Sequence, residues 1–266
     1  MGDKFKKWID IASDTSGSAI GALAGMGIGS VIAGPLGAVG GALAGTAVEK
    51  TFQWIGNEIK ERCLSKHENT RIGNVYECAY KKIHENLQHG KKLRTDDFYS
   101  ETLDNRSSSE EILEATLLTA QKECEEKKLP YLANLYANIN FDSTINREMA
   151  NQLIKVASDL SYRQLVILYV IGAYQTHSNL IPFRRNKPFN NINGYEKISI
   201  ATEIYDLYRK GIVYTDNVIL GVANINPSQL TINGIGALIY NLMELSAMTL
   251  NPVAEEVIAF LSDTSS

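Results

Sequence analysis

Residues 16–48 read SGSAIGALAGMGIGSVIAGPLGAVGGALAGTAV, and a small residue returns at every fourth position: Gly17, Gly21, Gly25, Gly29, Ala33, Gly37, Gly41 and Gly45. Ten of the chain's 20 glycines fall in this stretch. Glycine inside a helix costs about 1 kcal/mol relative to alanine. A helix built on this repeat therefore needs something that only bare backbone allows, which is close approach to a second helix. A step of four residues turns a helix by about 400°, so the small residues form one slowly drifting stripe. Stripes of this kind let two helices pack backbone against backbone, the pairing used between helices inside membranes.

Residues 15–48 carry no charge. As one helix they would run about 51 Å, well beyond a hydrocarbon core of about 30 Å. Gly34 and Pro35 sit at the middle and break the run, because proline removes a helical hydrogen bond. The stretch predicts a hairpin turning at Gly34-Pro35, with limbs of about 25 Å and both flanks on one side. Trp8 and Trp54, the only tryptophans, bracket it and are expected to anchor at an interface. Lys4, Phe5, Lys7 and Trp8 belong to an amphipathic lead over residues 1–14 that would lie at the same surface. Ten Ile, Leu, Val or Met residues among these 34 support weak insertion, the property of an element that switches between water and lipid. Three arrangements satisfy the stripe: a hairpin packed on its own body, a constitutive membrane anchor without pore activity, or a hairpin that inserts in a membrane and packs on other copies.

The remaining sequence narrows the class. With 266 residues, 44% hydrophobic and 21% charged, the chain can bury one large core or two small ones. A net charge of −4 gives no basic field toward nucleic acid. Scarce proline and abundant leucine, isoleucine and alanine favour helix. Cys63, Cys78 and Cys124 are odd in number and form no CxxC pair, which fits a reducing cytoplasm. Cys63 with His67, and His84 with His89, have ordinary helical spacing rather than a zinc pattern, so neither metal nor cofactor is expected. Asp10 and Asp14 interrupt any signal-peptide core, and Lys6 stands where a myristoylation site needs Ser or Thr. No nucleophile elbow, metalloprotease helix or phosphate-binding loop occurs, and the four histidines (His67, His84, His89, His177) sit in polar surroundings. The chain reads as non-enzymatic.

Beyond the repeat, residues 49–176 read as a helical body. A run from Thr51 to Leu87 predicts one or two amphipathic helices, and Ser108 or Ser109 is expected to cap the next, with Glu110 and Glu111 in its first turn. Pro130 opens a further helix, and Ser161 with Gln164 forms a capping box ahead of QLVILYVIGAY, the expected central helix of the core. Residues 177–195 read as a boundary loop whose Arg184, Arg185 and Lys187 form a solvated basic turn. Residues 177–266 then give a helix stopped by Gly211, a β-type stretch (IVYTDNVILGV), a helix from Thr231 and a last helix, PVAEEVIAFL. The expected fold is mainly α: glycine-zipper hairpin, helical-bundle body and a small winged-helix-like C-terminal unit. That unit holds six Lys and Arg against eight Asp and Glu, so it suits a protein partner better than DNA.

Residues 110–171, with KKLPYLANLYANI, ANQLIKVASDLSYRQL and the apolar helix that follows, resemble a segment of bacterial proteins grouped with the abortive-infection alpha family of phage-defence proteins. The resemblance spans a quarter of the chain and rests on hydrophobic patterns. The glycine repeat is similar to the zippers of bacterial channels and pore-forming toxins. Together they imply a defence effector acting on the cell's own inner membrane, with permeabilisation as one outcome. Membrane lipid, other copies of the chain and a regulatory protein are the expected partners, and nucleic acid is not. The expected location is the cytoplasm with movement to the inner membrane. The alternative is a soluble winged-helix-type regulatory module that binds DNA or protein and carries the hairpin on its own body.

Overall fold

The structure, a computed structural model, describes residues 46–101, 106–190 and 192–262. The lead with Lys4, Phe5, Lys7 and Trp8, the repeat from Gly17 to Gly45 and the expected turn at Gly34-Pro35 lie outside the described residues. Among the described residues the chain is mainly α-helical, with nine α-helices and one two-stranded sheet, as composition predicts. It divides into two compact units between Asp159 and Leu160.

The first unit opens at Thr46, whose hydroxyl accepts the Glu49 N–H at 3.2 Å and caps helix α1 (Ala47–Lys60). Val48 is fully buried, so the glycine segment ends by Gly45 rather than at residue 48. The run expected as one or two helices is two, because Ser65 and Glu68 close a capping box that starts helix α2 (Lys66–Gln88). The same device starts helix α3 (Ser108–Lys122), where Ser107 is the cap rather than Ser108 or Ser109. Ser109 is needed elsewhere: it is buried, 3.1 Å from the Tyr136 hydroxyl, and accepts from Thr51 at 3.3 Å. Helix α4 (Leu129–Ile139) has Pro130 in its first turn, as expected, and every other residue buried. It is the central helix of this unit, lying against α2, α3 and helix α5 (Arg147–Asp159). The rings of Tyr76, Tyr80 and Tyr136 meet Phe52 edge-on at 4.9–5.8 Å. Arg94 ties the α2–α3 connection to the turn before α5, donating to Ile145 O at 2.8 Å and to Asp96 at 2.7 Å over the Phe98 ring.

The second unit is organised around helix α6 (Tyr162–Thr176), in which Gln164 through Tyr174 are all buried. Sequence places this helix at the end of a body reaching residue 176; the structure groups it with the C-terminal segment instead. The reason is what covers it. Helix α9 (Pro252–Leu261) packs along it, and the Tyr174 and Ser262 hydroxyls meet at 2.9 Å. Nor are residues 177–190 an open boundary loop. Leu180 is buried, Phe189 stacks on Phe260 at 4.3 Å, and Arg184 is only 9% exposed. Arg184 donates to the Pro227 and Leu230 carbonyls and lies over the Tyr174 ring, so the expected solvated arginine is a core clamp. Lys187 is exposed as expected.

Helix α7 (Tyr195–Arg209) ends before Gly211, which takes φ +67°. Strand β1 (Val213–Tyr214) pairs antiparallel with β2 (Thr231–Ile232), Val213 opposite Ile232. The expected β-type stretch thus contributes only two paired residues, and Thr231 belongs to a strand rather than to a helix start. Helix α8 (Gly234–Leu242) follows. A Cβ at Gly236 would stand 2.0 Å from the Ile212 carbonyl oxygen, so bare backbone is required for α8 to sit against the strand entry. The order helix, strand, strand, helix is the one expected for the C-terminal unit.

Candidate functional site

Among the sequence-predicted site residues, Trp54 alone is described. It lies on α1, eight residues after the Thr46 cap, and its ring is 49% exposed. The ring is not loose. The Arg106 guanidinium stands 5.8 Å from its centre, an attraction that strengthens as water is excluded. Arg106 and Arg62 both bond the Glu114 carboxylate, and Arg62 reaches Glu58 at 2.8 Å. Burial raises the Glu114 carboxyl, and the hydrogen bonds from Arg106 and Arg62 outweigh that and hold it below the usual range. The half-exposed indole therefore sits on a fixed ionic platform joining α1 to α3.

Groups resembling catalytic ones are engaged structurally. The hydroxyls of Thr51, Ser109 and Tyr136 form a buried chain, and burial pushes the Tyr136 phenol up, away from any basic role. A cleft of about 320 Å³ beside α7 is lined by Gln164, Thr202, Glu203, Tyr205, Asp206 and Arg209. Its carboxylates are occupied: Glu203 bonds Arg163 at 2.7 Å, and Asp206 bonds Lys210 at 2.7 Å and Gln164 at 2.9 Å. Among the described residues no group of three or more His, Cys, Asp or Glu could hold a metal ion. Also among them, no helix is long and apolar enough to cross a membrane.

One feature escaped the sequence reading. Asn74, Glu77, Lys81, His84 and Gln88 follow one another at three- and four-residue spacing along α2 and share one stripe. Glu77 is 2% exposed. One of its oxygens bonds Lys81, while the other, Oε2, is buried with no hydrogen-bond partner. Asn74 Oδ1 and His84 Nδ1 are likewise buried and unpartnered, and His84 Nε2 meets Gln88 at 2.9 Å. The polar spacing was legible in the sequence; the burial of these three atoms was not, since polar side chains are ordinarily exposed. Comparison with family models, curated proteins and solved structures found no match.

Proposed function

We propose that the protein is a non-enzymatic, membrane-active effector of phage defence. Residues 15–45 insert into the inner membrane as a glycine-zipper hairpin and self-associate, and permeabilisation follows. The observation that carries this reading is the four-residue return of small side chains through an uncharged run, from Gly17 to Gly45. Two structural features support it. The Thr46 cap starts α1, so a folded helix begins directly after that run in the sequence. The half-exposed Trp54, eight residues beyond that cap on α1, suits an interface.

The test uses lipid vesicles of inner-membrane composition and growth of expressing cells. Replacing Gly25 and Gly41 together by leucine holds the paired backbones apart, so dye leakage and toxicity should fall at least tenfold while the helical circular dichroism signal stays. Unchanged leakage removes the zipper. A wild-type chain that never leaves the soluble fraction and never slows growth favours the alternative, a regulatory module. The observation on that side is the loop between β1 and β2, which exposes Val218 and Leu220 at 76% and 83% for a protein partner.

A further inference from the structure

We propose that residues 218–220 form an open strand edge on which a second copy of this chain pairs, antiparallel and about a two-fold axis. The pairing lies outside the glycine segment and does not rest on the membrane reading above. It seats a copy of the chain where the regulatory reading seats a foreign protein.

Position comes first. Of the β-type stretch IVYTDNVILGV, only Val213 and Tyr214 are paired in the sheet. Further along, exposure alternates with the period of a strand: Val218 is 76% exposed, Ile219 5% and Leu220 83%. Gly221 continues extended, at φ −179° and ψ 171°. The segment is tied down at both faces of this run. The Ile219 N–H donates to the Tyr208 hydroxyl of α7 at 3.4 Å, and Asn217 Nδ2 donates to Gln229 Oε1 at 3.0 Å. With the Ile219 N–H turned toward α7, the N–H and C=O groups of Val218 and Leu220 turn the other way. Among the described residues these four groups make no hydrogen bond.

The same unit closes another edge. The Gln175 amide accepts the Ile232 N–H at 3.0 Å and donates to the Ile232 carbonyl at 3.4 Å, so a side chain fills the place of a third strand beside β2. Folded proteins blunt exposed strand edges by covering them, or with charge or proline. Residues 217–224, NVILGVAN, contain neither charge nor proline. One edge is closed and the other is left open for a strand.

Chemistry selects the occupant. Val218 and Leu220 present a few hundred Å² of apolar surface at most, short of the ~800 Å² that each partner gives a stable complex. Apolar contact alone therefore holds no globular face here, and main-chain bonds to an added strand must supply the affinity. The segment itself meets that demand. A two-fold axis at Ile219 sets Val218 opposite Leu220 of the partner subunit, and each such pair exchanges two N–H···O bonds. All four free groups of each chain are then used, and the apolar side chains lie side by side on one face. Charge does not oppose the pairing, although each chain carries −4. Asp216 falls opposite residue 222 of the other copy, so the two Asp216 carboxylates stand about 20 Å apart along the pair.

Hydrogen exchange of the purified full chain tests this. The amides of Val218 and Leu220 should exchange at least fivefold more slowly at high concentration than after hundredfold dilution. Rates that ignore concentration overturn the pairing and leave the edge to a strand of another protein. Val218→Lys with Leu220→Lys sets like charges opposite one another and should abolish the concentration dependence; Val218→Glu with Leu220→Glu should do the same. Both sites are exposed, so the helical circular dichroism signal should stay. Mixing the two variants sets lysine opposite glutamate and should restore at least half of the protection. Protection that persists in either variant alone, or fails to return in the mixture, overturns the pairing. A chain carrying Gly25→Leu and Gly41→Leu separates this edge from the glycine segment, and its protection at Val218 and Leu220 should match the wild type. Protection lost there overturns an independent edge; protection kept with leakage unchanged removes the zipper and leaves the edge standing.

Discussion

Helices α4 and α6 are each the buried centre of their unit, and they are held by opposite means. Around α4 the core is threaded with polar bonds: Asn86 Nδ2 donates to Asn138 Oδ1 at 3.0 Å, Tyr99 donates to Asn140 at 2.9 Å, and Thr51, Ser109 and Tyr136 chain together. Around α6 the face from Leu165 to Ile171 is apolar apart from Tyr169, and position is set by shape. A Cβ at Gly172 would stand 2.3 Å from the Tyr240 ring, so that ring lies directly on the α6 backbone. Burial pushes the Tyr240 phenol up to about 12. Directional bonds fix the register of a helix buried on all sides because a one-residue slip leaves every polar group unpaired. Close packing does the same because a slip drives an atom into a ring or opens a void.

The sharpest way to break this comparison is at Arg184, among the described residues the one buried charged side chain of the second unit. Arg184→Ala takes the side-chain donor from the Leu230 carbonyl, leaves the Pro227 carbonyl with only the Leu230 N–H at 3.3 Å, and removes the stem from the Tyr174 ring, for a loss of about 3–5 kcal/mol. Lysine should recover less than half, since one ammonium cannot reproduce the fork. Denaturant titration gives the loss, and hydrogen exchange gives its place: amides of α6 and α9 should open first. If α2 and α4 open equally, the two cores act as one and the contrast between them fails. Gly172→Ala comes next. The added carbon forces the Tyr240 ring off the helix, for about 1–3 kcal/mol, and the smaller, acyclic side chain of Tyr240→Leu should restore most of it.

These residues also mark what was legible in advance. The capping box at Ser161–Gln164, the proline start of α4 and the glycine stop after α7 are local devices, written within four residues, and they read correctly from the chain, whereas the equally local box at Ser65–Glu68 went unread. Arg184 did not, because its partners lie 43 and 46 residues away and a sequence window sees only neighbouring basic residues. Ser109 was misread as a cap for the same reason, its partners Thr51 and Tyr136 being 58 and 27 residues distant. The unit boundary moved from residue 176 to residue 159 because an apolar helix announces that it will be buried without naming what will bury it. Of the candidate site, the Arg106 platform under Trp54 and the buried atoms of the α2 stripe depend on tertiary approach and were not legible.

A milder test sharpens the polar side of the comparison. Asn138→Leu leaves the buried Asn86 amide without its acceptor and should cost about 1–2 kcal/mol. Adding Asn86→Leu removes the orphan, and thermal unfolding should then return toward the wild-type midpoint. A double variant as unstable as the sum of its two singles would show that the pair contributes shape rather than a bond.

The smallest effect distinguishes the two units by their caps. The box that starts α2 uses a carboxylate, Glu68, whereas the box that starts α6 uses a neutral amide, Gln164. The Gln121 amide, with the Ser65 hydroxyl and N–H, lowers the Glu68 carboxyl from an ordinary 4.5 to about 2. A carboxyl whose folded value is depressed contributes stability in full above its unfolded value and loses it as pH falls through the folded one. The contribution of Glu68 should therefore be intact above about pH 4.5 and fade toward pH 2, loosening the start of α2 and its tie to the end of α3. Glu68→Gln removes the titrating group, so wild type and variant should converge as pH falls through that window, read from hydrogen exchange at residues 66–72. Should the gap between wild type and Glu68→Gln stay constant from pH 6 to 2, Glu68 is not bound to Gln121 in solution, and α2 is held by its apolar face alone.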